Sequence, residues 1–219
     1  MNSPYLKKTV AMSNPEPIAH DSIQRGRRLE YLTIGWNLGE AAVAIGAGAF
    51  ARSTALLGFG IDSLIESLSG SVLLWRLHRG EKGERREQQA RKLVGVSLLA
   101  LAAYVAFEAV KSLVKQEPPA ASYVGIGLAL LCVIVMPLLA WGKRKVAARL
   151  GSRAMHADSR QSDICGYLSA ILLIGLGANA LLGWWWADPV AGLVMVPIIG
   201  KEGFEALRGE ACACNKELG

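Results

Sequence analysis

Two carboxylates inside an apolar run are the feature of the chain most able to do chemistry. The run reads Gly58-Phe59-Gly60-Ile61-Asp62-Ser63-Leu64-Ile65-Glu66-Ser67, and a spacing of four places Asp62 and Glu66 on one helix face. Like charges at that spacing repel unless they are protonated or bridged by a cation. A carboxylate at hydrocarbon depth is costly, so the pair is expected to serve a function. No Arg or Lys is expected inside the apolar segments to neutralise it, which leaves a metal ion or protons as its partners.

The elements that must carry this pair are long and apolar. Of 219 residues, 52% are hydrophobic and 19% charged, with a mean hydropathy of +0.31. The apolar residues fall in six blocks: 31–50, 54–75, 93–114, 123–141, 164–186 and 190–200, the last with an amphipathic continuation to Leu207. A bilayer core about 30 Å thick needs roughly 20 helical residues, and five blocks reach or approach that length. Continuous runs such as Leu128-Ala129-Leu130-Leu131-Cys132-Val133 exclude the alternating segments of a membrane β-barrel. The expected fold is an all-α membrane protein. The first thirty residues hold no short apolar core with a cleavage site, so no signal peptide is expected. Cys132 and Cys165 lie in apolar blocks and Cys212 and Cys214 are too close for an ordinary bridge, so no disulfide framework is expected.

The formal net charge of +6 raises the question of nucleic acid, and the placement of the 24 Lys and Arg residues decides it. All but Arg52, Lys111 and Lys115 lie before the first block, between the second and third, between the fourth and fifth, or after the sixth. Such alternation is what the positive-inside bias produces in a bundle of six transmembrane helices with both termini cytoplasmic. The basic residues then mark topology and anionic headgroups of membrane lipid, and no nucleic-acid partner is expected. Residues 1–28 are expected to form a flexible cytoplasmic arm, 29–208 the transmembrane domain, and 209–219 a short cytoplasmic tail with no C-terminal cytoplasmic domain. The expected location is the plasma (inner) membrane, crossed several times.

Other polar residues fall at the depth of the acidic pair. At about 1.5 Å per residue, Glu66 and Asp62 lie roughly 15 and 21 Å from Arg76. On the same scale Asn37 and Glu40 lie roughly 14 and 18 Å from Arg28, and Gln161 and Cys165 roughly 12 and 18 Å from Arg153. Three helices counted independently thus put their polar groups in one layer. Carboxylate and amide oxygens with one sulfur suit a divalent first-row cation and lean toward zinc, cadmium or iron over magnesium.

The stretch Asp62-Ser63-Leu64-Ile65-Glu66 resembles the second-helix motif of the cation diffusion facilitator family, in which acidic or His and Asp residues four apart bind the transported metal. Ala157-Asp158-Ser159, followed by Gln161, Cys165 and Ser169, is similar to that family's fifth-helix pattern of Ala-Asp, then His, then Asp four on, then Ser. Ala187-Asp188-Pro189 opening the last block also fits. The resemblance covers about residues 30–208 and implies that the first, second, fourth and fifth helices enclose the site. Gln161 stands where the family has His and Cys165 where it has Asp; a second register puts Ser159 and Asp163 there instead. Either register removes the His. No large cytoplasmic domain of the kind that typically follows the sixth helix is expected, as in a shortened branch, so a homodimer is expected to pair through transmembrane helices.

The expected function is export of a divalent metal from the cytoplasm in exchange for protons, with zinc foremost and iron, cadmium, cobalt or manganese as alternatives. Metal ligands are sought among Asp62, Glu66, Gln161, Cys165, Asp163 and Asp158, with Asn37 and Glu40 as ligands or as groups bonded to them. No resident cofactor and no enzyme constellation is expected. The competing class is a membrane metal sensor or interaction protein that binds the cation without moving it. His78 and His156 are expected to be solvated at a membrane interface, and Glu108 to pair with Lys111 three residues on. Trp184-Trp185-Trp186 is expected to anchor the bundle at the opposite interface.

Overall fold

The computed structural model describes residues 15–79, 84–116 and 119–208, and all of its regular structure there is helical. The helices are α1 (Pro15–Ala51), α2 (Thr54–Arg79), α3 (Glu84–Lys115), α4 (Tyr123–Leu150), α5 (Arg153–Leu182) and α6 (Ala187–Arg208). Four of them, α2 to α5, contain a stretch long and apolar enough to cross a membrane. Each apolar block thus becomes a helix, and several helices run past the block into polar sequence.

Two extensions change the expected layout. α1 begins at Pro15, so residues 15–28 are helical where a flexible arm was expected. Gly26 in that extension is buried, and a Cβ added to it would meet the Met155 methyl at 3.1 Å, so the chain there lies close against α5. The basic segment between the fourth and fifth blocks is also helical on both sides. α4 continues to Leu150, Gly151 turns the chain at φ 61°, and the Ser152 side chain caps the first turn of α5. Gly is favoured at that left-handed position because it has no Cβ to clash. The result is a tight antiparallel hairpin, with Lys143 and Arg144 brought opposite Asp158, Ser162 and Asp163.

Four helices pack in a ring: α1 on α2, α2 on α5, α5 on α4, and α4 on α1. α3 and α6 pair beside it against α2, and α6 also lies against α5. Buried positions recur at helical spacing, as in Gly125, Ala129, Cys132, Met136, Ala140 and Lys143 of α4, and small residues there let the backbones approach. The polarity is inverted relative to a protein in water. Phe50, Phe107, Leu138, Ile174 and Leu181 are exposed on the outside, while Glu30, Asn37, Glu40, Asp62, Glu66, Lys143 and Asp158 are buried within. Apolar side chains outward and backbone bonds closed within helices are what a hydrocarbon solvent requires.

Candidate metal centre

The ring helices present their polar residues toward one another near the middle of the bundle. On α1, Glu30, Thr33, Asn37 and Glu40 recur every three or four residues and are all buried. α2 contributes Asp62, Ser63 and Glu66; α4 contributes Cys132; α5 contributes Ser162 and Cys165. Glu40 is the most firmly held group. Its Oε2 accepts from Trp36 Nε1 at 2.7 Å and Cys132 Sγ at 2.9 Å. Its Oε1 accepts from Ser63 Oγ at 2.7 Å, with Cys165 Sγ at 3.9 Å. One carboxylate therefore ties α1 to α2, α4 and α5.

The acidic pair of α2 is served very differently. Glu66 Oε1 accepts from Ser162 Oγ at 3.2 Å, but Glu66 Oε2 is buried and accepts no hydrogen bond. Asp62 is 5% exposed and forms no side-chain hydrogen bond or ion pair among the described residues. Both side-chain polar atoms of Asn37 are likewise buried without a partner. Buried polar atoms are normally paired, and each exception asks for an explanation. Oxygen donors left open in the interior fit a cation that the protein carries as cargo. Among the described residues, no three His, Cys, Asp or Glu side chains are grouped so that they could hold a metal ion as they stand.

The remaining expected residues separate into two groups. Cys165 is buried between Glu40 and the acidic pair, and Gln161, one turn earlier, is half-buried. Asp163, of the alternative register, bonds Arg144 at the partly exposed edge of the hairpin, while Ser159 donates to the His156 carbonyl at 2.7 Å. Asp158 is bonded to Lys143. That contact corrects one expectation: a basic side chain does reach the interior. Lys143 is fully buried, and its ammonium lies 3.3 Å from Ser162 Oγ, whose hydroxyl bonds Glu66. It escapes notice in the sequence because a charge beyond an apolar block reads as loop, whereas the helix continues through it.

Cys132, Ser63 and Ser162 complete the polar interior and also went unmarked. Counting depth along α4 would have found Cys132, since eleven residues at about 1.5 Å set it roughly 16 Å from Lys143, in the same layer. The expected pairing of Glu108 is present, with Lys111 Nζ donating to it at 2.9 Å. His78 is exposed and His156 half-buried, and Trp184 and Trp186 stack at 5.2 Å between centroids on the surface. Cys212 and Cys214 lie outside the described residues.

A helical bundle that turns apolar side chains outward and carboxylates inward is an integral, multi-pass membrane protein. Residues 31–210 match the family model of the cation efflux transmembrane domain. The chain belongs to this family, the cation diffusion facilitators. It is 28% identical over 181 residues to a cadmium, cobalt and zinc/H(+)-K(+) antiporter of Bacillus velezensis, covering 75% of this chain and 55% of that one. It is 25% identical over 171 residues to an uncharacterized transporter of Synechocystis, covering 74% and 55%. Similarity also extends to transmembrane protein 163 of Xenopus laevis, at 24% identity over 184 residues, covering 82% and 65%. The chain spans about half the length of the first two relatives.

Proposed function

We propose that the protein exports a divalent metal ion from the cytoplasm across the plasma (inner) membrane in exchange for protons, with zinc as the foremost cargo and cadmium, cobalt, iron and manganese as alternatives. The observation that carries this reading is the open oxygen set of α2: Glu66 Oε2 is buried without a hydrogen-bond partner, and Asp62, four residues before it, is 5% exposed. Asp62 and Glu66 are the principal ligands. Gln161 and Cys165 complete the site from α5, and Asn37 stands ready on α1. Glu40 holds the helices in register through its bonds to Trp36, Ser63 and Cys132. Asp163 and Asp158, each engaged with a base of α4, stay outside. In this reading α1 and α6 also cross, giving six spans with both ends cytoplasmic. Protons on the carboxylates leave as the dication binds and return when it departs, so the buried charge stays close to balanced.

The test is zinc flux into proteoliposomes. Asp62→Asn keeps the side-chain shape and removes the charge, so the variant is expected to stay folded and lose flux. Wild-type flux in a folded Asp62→Asn protein would refute the site. Lowering the pH on the metal-loading side is expected to slow flux, because protons then compete for the same oxygens, and a proton gradient is expected to drive it. Flux indifferent to that gradient rejects proton exchange. Binding without flux in the wild-type protein moves the reading to a metal sensor.

A further inference from the structure

Next to the carboxylate pair lies a second buried charge cluster whose centre is the ammonium of Lys143. Its side chain is fully buried on α4. The ammonium bonds Asp158 of α5, lies 3.6 Å from Glu30 Oε2 of α1, and approaches Ser162 Oγ at 3.3 Å. Ser162 in turn bonds Glu66 at 3.2 Å. Neither Glu30 oxygen accepts a hydrogen bond. Gly70, one turn beyond Glu66 on α2, leaves room for that carboxylate: a Cβ there would come within 3.3 Å of Glu30 Oε2. The cluster therefore joins all four helices of the ring at the Arg-rich end of the bundle, directly beside the acidic pair.

Charge decides what such a cluster does. One ammonium faces Asp158 and Glu30 directly and Glu66 through a hydroxyl. Buried carboxylates are tolerated when a cation faces them, and removing that cation leaves them uncompensated. A lysine suits this role because its charge is compact and sits on a flexible four-carbon stem that can retract. The same positive charge repels any dication that approaches Glu66.

We infer that Lys143 is a tethered cation that latches the Arg-rich end of the ring over the acidic pair, and that a dication reaching Asp62 and Glu66 has to displace it. This rests on the proposed role of that pair as the cargo site. Lys143 is a positioning residue: it acts on Glu66 through Ser162 and on α5 through Asp158, and it touches no cargo. In the cation-free protein it compensates the carboxylates and holds α4 and α5 against α1. When the dication supplies that compensation, the ammonium is released and the contact between α1 and the α4–α5 hairpin loosens.

The experiment measures equilibrium zinc binding by calorimetry on the purified full chain and zinc flux in proteoliposomes. The proteins are wild type, Lys143→Met, Lys143→Arg and the pair Glu30→Gln with Lys143→Met. A lost competitor raises affinity by the reciprocal of the fraction of sites it had left free, so a latch closed on about nine sites in ten gives Lys143→Met zinc binding about tenfold tighter. Its turnover is expected to fall by a similar factor, because the empty carrier now holds uncompensated carboxylates. Lys143→Arg restores affinity toward wild type. The double variant removes one of the two carboxylates that face the ammonium, so it is expected to lose less stability than the single variant and to show the same tighter binding. Unchanged or weaker zinc binding in the Lys143→Met proteins that fold overturns the latch. The cargo site fails separately: Asp62→Asn that binds zinc as wild type does refutes that reading, whatever Lys143 does. A wild-type protein that binds no zinc overturns both.

Discussion

The two ends of the four-helix ring close by different chemistry. At the Arg-rich end the helices meet through buried charge: Lys143 with Asp158 and Glu30, and Arg144 with Asp163 nearby. At the opposite end they meet through caps and close apolar packing. There Asp188, at the start of α6, accepts from Ser53 Oγ and from Thr54 N at 3.0 Å, so it caps α2 from another helix. Asn179 Nδ2 donates to the Pro119 carbonyl at 3.1 Å, and Ala120 N donates to the Ala51 carbonyl at 2.8 Å. Leu56, Ala129, Leu172 and Leu176 fill the space between the helices. Close-packed apolar contacts have one good arrangement, whereas an ammonium among several carboxylates has more than one acceptable partner. In the proposed reading, this difference makes the Arg-rich end the one that yields to a cation while the opposite end stays closed.

The largest effect is expected from wedging the sealed end. A Cβ on Gly175 would stand 2.5 Å from Ala191 Cβ, so even a small side chain there must push α5 from α6. Gly175→Leu is expected to cost roughly 3 kcal/mol and to lower the melting temperature in detergent, since overpacking a filled seam forces backbone shifts. Gly200, where a Cβ meets nothing within 4 Å, is the control on α6, and Gly200→Leu is expected not to lower the melting temperature. Equal melting of the Gly175→Leu protein and the wild type would mean that the sealed end yields as easily as the charged one.

A smaller loss is expected from the cap. Asp188→Ala removes both bonds to the start of α2, and a lost N-cap costs about 1–2 kcal/mol. Zinc affinity is expected to stay close to wild type, because Asp188 lies at the end of the ring away from Lys143. A melting temperature unchanged by this substitution would show that the cap is redundant with Ser53, whose Oγ already accepts from Leu56 N at 3.1 Å.

How far the sequence revealed this contrast depends on the physical signal each residue carries. The helices and the polar layer were legible because hydrocarbon penalises charge strongly, so Asp62, Glu66 and Glu40 stand out against their blocks. Asn37 stood out for the same reason. Cys132 did not, because a thiol reads as apolar until its Glu40 partner is seen. Lys143 lies beside a chain reversal and looks like a loop charge, and Asp158 reads as a metal ligand; only the helical hairpin at Gly151 turns the two toward each other. Asp188 was visible as part of a pattern, but its role as a cap for α2 joins positions 134 residues apart, beyond the reach of local spacing. Local periodicity thus identifies what lies inside, and tertiary contact decides which buried charge faces which.

The smallest effect is expected at Asp163, where it separates the two fifth-helix registers. Asp163 and Arg144 are 26% and 40% exposed, and partly solvated ion pairs contribute little because water screens them and ordering two side chains opposes the gain. Asp163→Asn is therefore expected to cost less than about 0.5 kcal/mol in stability and to leave zinc affinity as it was. Cys165 lies on the other side of α5, against Glu40, and Cys165→Ser exchanges a soft sulfur for a hard oxygen. Its expected signature is a change in selectivity, with cadmium weakened more than manganese. Calorimetry with both metals on the two variants decides between the faces. Loss of zinc binding in Asp163→Asn, with Cys165→Ser unchanged, would move the ligands to the edge of the hairpin beside Arg144.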